Sequence, residues 1–373
     1  MAKNIALCFD GTWNDPDSNT NVIKMHRSII GEDRTPKPVG GAVAPRDESS
    51  IKWYDKGVGT KFLNKFRGGL AGNGLAKNIL QGYKFIVDNY EQDDRIYLFG
   101  FSRGAYTARS LAGLIRNIGI LHKSSAPAVE LENNPVLMNG FRIYQRRDAG
   151  PKSEEAEFFR NRYSMDNVSI HFLGVWDTVG AMGLPSNNLD KVDPRYGFHD
   201  TNLSSRVKNA FHALAIDETR PEFIPSLWTS NPDVGQRVEQ VWFVGVHSEV
   251  GGGMKPSLTD SPLRWMQEKA EECGLGIDNS QIACIRKDLF IRAQVSNHFR
   301  PPLRNLLAWY YPLVARLRGS IPHVRPMGGT QTECVHSLVH QKKDARDSGY
   351  APGNHGFSSV ATCPGDGGEW ECE

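Results

Sequence analysis

The sequence predicts an α/β fold, a mostly parallel central sheet flanked by helices, and three observations carry that expectation. Short continuous apolar runs end in polar or small residues, amphipathic segments lie between them, and residues able to do chemistry stand directly after the runs. The runs are residues 5–9, 96–99, 170–176 and 241–246. None alternates polar with apolar positions, as expected for parallel strands covered on both faces. Between them, residues 75–90 place Leu75, Ile79, Leu80, Tyr83, Ile86 and Val87 near a helical period. Residues 103–118 do the same with Ala105, Ala108, Leu111, Ala112, Leu114 and Ile115. Functional groups in such a sheet gather at the carboxyl ends of the strands.

A chain of 373 residues with 39% hydrophobic and 23% charged residues can bury an extensive core. Lys+Arg 44 against Asp+Glu 42 gives a net charge of +2, without the basic excess of a nucleic-acid binder. We expect a single domain over residues 1–350, with insertions at about 31–50 and 121–164, and an irregular tail over 351–373. Residues 31–50 are rich in Pro, Gly and charge and read as a surface loop; residues 121–164 read as a helical insertion or cap. Ser261 is placed as the N-cap of a helix over 262–273, with Pro262 at its first position. Residues 280–299 also read as helical.

The six cysteines form no CxxC pair and no zinc-ligand cluster with histidine, so no metal and no other cofactor is expected. Their wide scatter fits reduced thiols at least as well as disulfides. The first apolar run is too short for a signal peptide, and no stretch reaches the roughly 18 apolar residues of a membrane span. The expectation is a chain made soluble in the cytoplasm; action elsewhere would need a route without a cleaved leader.

Gly100-Phe101-Ser102-Arg103-Gly104 joins a predicted strand to a predicted helix. A GxSxG match alone is weak, and an ordinary turn with an incidental serine is the bland alternative. The strand–turn–helix context makes it a nucleophile elbow, the turn that presents the serine of an α/β-hydrolase fold. The turn is strained and crowded, so small residues are needed two positions either side, and Gly100 and Gly104 supply them.

A serine hydroxyl attacks only when a base takes its proton, and in this fold the partners follow in the order acid, then histidine. Asp177 follows the run ending at Trp176, and His247 follows the run ending at Val246. His212 is the competing base among eleven histidines, but it begins an apolar run rather than ending one. Asp217 and Glu249 are alternates for the acid. Asp217 and Glu218 read better as ties between the loop containing Arg220 and the rim of the site.

The backbone N–H of Arg103, at the start of the helix, is an expected oxyanion donor. Gly11 and Thr12 are candidates for the second donor, with Asp10 fixing the turn. A plain Asp-Gly turn explains the same residues equally well.

Six segments, LCFDGTWND, YDKGVGT, YLFGFSRGAYTARSLAGLI, GVWDTVGAMG, HALAIDETRPEF and VWFVGVHSEVGGG, together resemble one family. It is the α/β-hydrolase domain of the first phospholipase class of bacterial type VI secretion lipase effectors, with its uncharacterised bacterial and fungal relatives. The resemblance covers roughly residues 5–253. It implies Ser102 as nucleophile, Asp177 as acid and His247 as base, the assignments reached above from strand ends. The family usually carries Asp two residues after the histidine, where this chain has Glu249.

The resemblance also implies a phospholipid substrate, transient membrane-surface contact, and an immunity or secretion-machinery partner. Residues 300–325 mix apolar, aromatic and basic side chains, including Trp309, Tyr310 and Tyr311. They read either as a lid or interfacial patch contacting lipid, or as a helix packed on the core. The expected function is a serine hydrolase cleaving lipid carboxylic esters through an acyl-enzyme. A small-ester or thioester hydrolase without lipid preference, and a non-catalytic binding module on the same fold, are the alternatives.

Overall fold

The protein is seen in a computed structural model that describes residues 2–11, 14–36, 49–57, 71–125, 134–146, 148–165, 167–180, 203–220, 223–254, 256–296, 325, 327, 330–345, 348–352 and 360–363. In chain order its first half runs β1 (Asn4–Phe9), α1 (Asn21–Ser28), β2 (Glu32–Asp33), β3 (Ser50–Asp55), α2 (Ala71–Asn89), β4 (Arg95–Phe101), α3 (Arg103–Ile118) and β5 (Ile120–Leu121). Then follow α4 (Pro135–Gln145), α5 (Glu154–Tyr163), β6 (Ser164–Met165), β7 (Ile170–Trp176), β8 (Val207–Ala215) and β9 (Arg237–Phe243). The described chain closes with α6 (His247–Val250), α7 (Pro256–Glu272), α8 (Lys287–Arg292), β10 (Glu333–Val335) and α9 (Ser337–Asp344).

Eight strands form one sheet in the order β10-β9-β8-β7-β4-β1-β3-β2, and every pairing in it is parallel. This is the α/β fold expected, of α/β-hydrolase type. β1 shows why its residues are apolar throughout. Ile5, Leu7 and Phe9 pack in one core cluster with residues of α2 and α3. Ala6 and Cys8 point the other way, into a cluster with residues of α1 and α7. Each large side chain so buried favours the fold by about 1.5–3 kcal/mol over exposure.

β3 and β8 escape the apolar-run criterion because each carries a buried polar residue. Lys52 in β3 is fully buried, and its Nζ donates to the carbonyls of His26 (2.9 Å) and Ile29 (2.6 Å) at the end of α1. The stem is core and the ammonium caps a helix. His212 stands inside β8 rather than at the head of a run. The run at 241–246 is strand only to Phe243, because Gly245, at φ 121°, turns the chain out of the sheet.

Two helix boundaries differ from expectation. α7 begins at Pro256, so Ser261 is no N-cap and Pro262 lies inside the helix. Leu258, Leu263, Trp265, Met266 and Ala270 are buried, and the Pro262 carbonyl accepts from Nε1 of Trp176 (3.1 Å). That packing outweighs the one backbone bond a proline removes. Residues 280–299 are not one helix: a short turn over Asn279–Gln281 and α8 are its only helical parts among the described residues. Between them Gln267 holds the chain open, accepting from the Ala283 N–H (2.9 Å) and donating to the Gln281 carbonyl (3.1 Å).

The described part of the 121–164 insertion is largely helical. α4 and α5 pack on the far end of α3: Tyr144 lies against Gly113, and Phe159 and Ile118 meet at Gly140. The tail is tied down in part, since Thr362 bridges to Val335 and Cys363 is disulfide-bonded to Cys334. Cys284 is disulfide-bonded as well, whereas Cys8 and Cys273 are free thiols.

Candidate active site

β4 ends at Phe101 and α3 begins at Arg103, so Ser102 is the hinge between them, with φ 57° and ψ −119°. A left-handed φ strains any residue with a Cβ, and the surrounding structure must enforce it. Here the neighbours are in contact. A Cβ on Gly104 would stand 2.1 Å from the Phe9 carbonyl oxygen, and one on Gly100 2.4 Å from that of Gly104. The two glycines are thus packing requirements of the elbow, Gly104 against the end of β1 and Gly100 against the first turn of α3.

Asp177 follows β7, the neighbour of β4 in the sheet, and it too has positive φ, 40°. Its side chain is fully buried. His247 follows β9 and opens α6. The three side chains form one hydrogen-bonded chain. His247 Nδ1 lies 2.6 Å from Asp177 Oδ2, and its Nε2 lies 2.8 Å from Ser102 Oγ. With Nδ1 protonated toward the carboxylate, Nε2 is left as the acceptor facing the serine hydroxyl. The ring is held edge and face by Phe101 and Phe223, each with its centroid 4.7 Å away. Its backbone N–H donates to Glu218 Oε2 (3.2 Å), whose carboxylate is gripped by the Arg220 guanidinium.

The electrostatics favour a neutral imidazole beside an ionised acid. Burial alone would raise the Asp177 carboxyl, but the Arg325 guanidinium and His247 hold it below the usual carboxylate range. Burial lowers His247 below its ordinary 6.5, and Asp177 opposes that shift only in part.

Arg103 stands at the first position of α3, directly after Ser102, so its backbone N–H lies at the helix start. Gly11 lies beside Ser102, since a Cβ on it would be 3.4 Å from that of Ser102. Its N–H, however, donates to Asp10 Oδ1 (2.7 Å), so that bond is already made. Asp10 Oδ2 accepts from Thr20 Oγ1 (2.6 Å) and the Tyr54 hydroxyl (2.8 Å), and burial still raises the carboxyl to about 6. Thr12, Trp309, Tyr310 and Tyr311 lie outside the described residues.

His212 is adjacent to the site but does not face Ser102. Its Nε2 accepts the Thr178 N–H (3.1 Å), steadying the loop that carries Asp177, and burial depresses its pKa to about 3. Asp217 accepts from the Gly245 N–H (2.7 Å) and the Tyr350 hydroxyl (3.1 Å). Glu249 accepts from the Val246 N–H (2.9 Å) and from Ser296 Oγ (2.7 Å). Its longer side chain reaches both, and it braces the histidine turn rather than touching the imidazole. Gly251 lets that turn close on the elbow, for a Cβ there would sit 1.9 Å from the Phe101 ring.

Sequence reasoning missed Arg325 and the two flanking rings. Nothing in Pro-His-Val-Arg-Pro marks Arg325, the last residue of the 300–325 segment, as a partner of Asp177. Phe101 was visible inside the elbow, where its place in the motif hid its packing role. Among the described residues, no helix is long and apolar enough to cross a membrane. Nor is any group of three or more His, Cys, Asp or Glu side chains among them arranged to hold a metal ion.

Comparison with known proteins gives three findings. An uncharacterized protein of Saccharomyces cerevisiae is 29% identical over 255 residues, 62% of this chain and 33% of its own length. The chain therefore spans about a third of the curated relative it matches. A crystal structure of an uncharacterized protein from Pseudomonas aeruginosa has 18% identity and a TM-score of 0.46, covering 79% of this chain and 49% of the other. The family model of the Tle1-like catalytic domain of type VI secretion phospholipase effectors matches residues 3–269, and the chain belongs to that family.

Proposed function

We propose that the protein is a serine hydrolase that cleaves carboxylic esters of lipids, phospholipids foremost, through an acyl-enzyme. The observation that carries this reading is the chain Ser102 Oγ–His247 Nε2, His247 Nδ1–Asp177 Oδ2, at 2.8 and 2.6 Å, gathered at the ends of β4, β9 and β7. His247 takes the proton as Ser102 Oγ bonds to the acyl carbon, and Asp177 steadies the imidazolium. Negative charge gathers on the carbonyl oxygen beside the start of α3, where the Arg103 N–H is the expected donor. The protonated imidazole then gives its proton to the departing alcohol. Water, deprotonated by His247, attacks the acyl carbon; the bond to Ser102 Oγ breaks, the imidazolium returns its proton to Oγ, and the fatty acid leaves. Membership of a phospholipase-effector family supports the lipid substrate.

Delivery into another cell, an antibacterial role and an immunity partner belong to the same proposal. The Cys334–Cys363 disulfide supports a working place outside the reducing cytoplasm.

The test is incubation with vesicles of mixed bacterial phospholipids, with fatty acid and lysolipid products followed by mass spectrometry. Wild-type protein releases them and Ser102→Ala does not; equal release by both sinks the mechanism. A fluorophosphonate probe should label Ser102, which a non-catalytic binding module would not allow.

One observation favours a second reading, a small-ester or thioester hydrolase. Exposed large apolar side chains among the described residues are Phe158, Val234, Met254 and Leu289, distant from one another in the sequence. An acyl-chain-length series with and without micelles separates the two, because a lipase gains activity at the interface.

A further inference from the structure

The family match ends at residue 269, yet the triad acid is held from beyond it. Arg325 is buried against Asp177, with Nη1 2.7 Å from Oδ1 and Nη2 2.9 Å from Oδ2. Its fork is itself anchored, donating to the carbonyl of Ala215 (2.7 Å) at the end of β8 and to that of Phe223, whose ring flanks His247. A planar guanidinium binding both oxygens fixes the tilt of the carboxylate as well as its position. The Ala215 N–H, 3.0 Å from Oδ1, completes that oxygen's partners and leaves Oδ2 to face the imidazole. Other contacts from the same part of the chain brace the histidine side. Ser296 bonds Glu249, and Tyr350 bonds the Asp217 that holds the Gly245 N–H.

We propose that Arg325 is the positioning residue of the triad acid, so that the chain beyond the family-matched domain completes the active site. The proposal rests on the triad reading above. Arg325 touches no reacting atom; it sets the plane of Asp177, and through Asp177 the aim of His247. It also adds a positive charge close to the imidazole, which disfavours protonation of the ring. Among the described residues, the other titratable groups around the ring are Glu218 with its partner Arg220, Asp217 on the same loop, Glu249 on the histidine's own turn, and His212 behind Asp177.

Arg325→Met, Arg325→Lys and Arg325→Ala should be compared with wild type on a soluble p-nitrophenyl ester across pH, each first shown to fold by its circular dichroism and melting curve. Arg325→Met is expected to lower kcat/KM on the order of 100-fold, the cost of a misplaced catalytic group. It should also move the acid limb of the pH profile upward. Arg325→Lys, which keeps charge but loses the fork, should hold the limb near its wild-type place while kcat stays low. Added guanidinium should restore part of the Arg325→Ala activity.

A second measurement is independent of turnover: the His247 ring titrated by NMR in a Ser102→Ala background, where Arg325→Met should raise its pKa. If wild-type protein hydrolyses no ester, the hydrolase reading fails while the titration still tests the clamp. A folded Arg325→Met with the wild-type pH profile and an unmoved His247 titration overturns the positioning role. Should every variant with a neutral residue 325 fail to fold, Arg325→Lys decides. Wild-type kcat in that variant overturns the need for the fork.

Discussion

The backbone N–H of Ser102 donates to the carbonyl of Trp176 at 3.0 Å, joining the Ser102 turn to the residue before Asp177. The two turns are therefore one rigid piece, and both Ser102 (φ 57°) and Asp177 (φ 40°) hold left-handed backbone within it. Such strain survives only where close packing enforces it.

Elbow packing sets the first expectation. Gly104→Ala places a methyl 2.1 Å from the Phe9 carbonyl oxygen and 2.5 Å from that of Asp10, both backbone atoms with little room to yield. The variant should lose about 1–3 kcal/mol of stability or more, and esterase activity should fall with it. Gly150→Ala, where a Cβ meets nothing within 4 Å, is the control. Urea unfolding that finds the two variants equally stable would refute the packing account.

The pH profile follows from the environment of His247. Burial lowers the imidazole pKa below 6.5, and on the proposed mechanism that lowered value is the one the rate should report. The sign is then fixed: a depressed pKa keeps the ring neutral to lower pH, so activity should persist through pH 6.5 and fall only below it. Asp217, raised by burial to about 7, titrates higher and contacts Gly245 and Tyr350 rather than the ring. Accordingly, Asp217→Asn should leave the limb of kcat/KM on a soluble ester in place. A wild-type midpoint at or above 6.5 would contradict the arrangement.

The two site histidines should separate by what they damage. His247→Ala removes the base and should cut kcat by roughly 10³-fold or more, with folding retained. His212→Ala leaves the buried Thr178 N–H without its acceptor, a loss of about 1–3 kcal/mol. Its main effect should appear in the melting curve, with a smaller fall in rate because the Asp177 loop loosens. Parallel kinetics and thermal melts check this; an inactive but fully stable His212→Ala would give that residue a different role.

How much of this was legible follows from the kind of signal each residue carries. Ser102, Asp177 and His247 each follow a strand in chain order, and a strand end is visible in one dimension. β4 and β7 are parallel neighbours and β9 lies one strand beyond β8, so the three residues fall along one edge of the sheet. β3 and β8 were hidden because Lys52 and His212 are polar yet buried, each matched to a backbone group that only the fold supplies. Pro262 misled for a related reason, since its local preference for a helix start yields to the buried face of α7. Arg325 had no local signature at all. It is 148 residues from Asp177, and its role exists only after the chain past β9 has returned to the site.

That return is secured by the Cys334–Cys363 disulfide, which closes a loop of 29 residues and ties β10 to the segment bridged at Thr362. On the loop-entropy estimate such a crosslink contributes about 3–4 kcal/mol. β10 lies at the edge of the sheet, joined to β9 by three residue pairs and by the bond from Trp242 Nε1 to Glu333 Oε2 (2.9 Å), and the crosslink reinforces these contacts. A Cys334→Ser/Cys363→Ser variant should therefore melt at lower temperature and unfold at lower urea concentration. Because Arg325 and Tyr350 lie on either side of β10 in the chain, the same variant should lose esterase activity before the bulk of the sheet unfolds. The measurement is activity and far-ultraviolet circular dichroism followed together along a urea series. In the variant the activity curve should run ahead of the structural one, and in wild type the two should coincide. Coincident curves in both, with unchanged midpoints, would show that the crosslink does not hold the C-terminal contacts to the site.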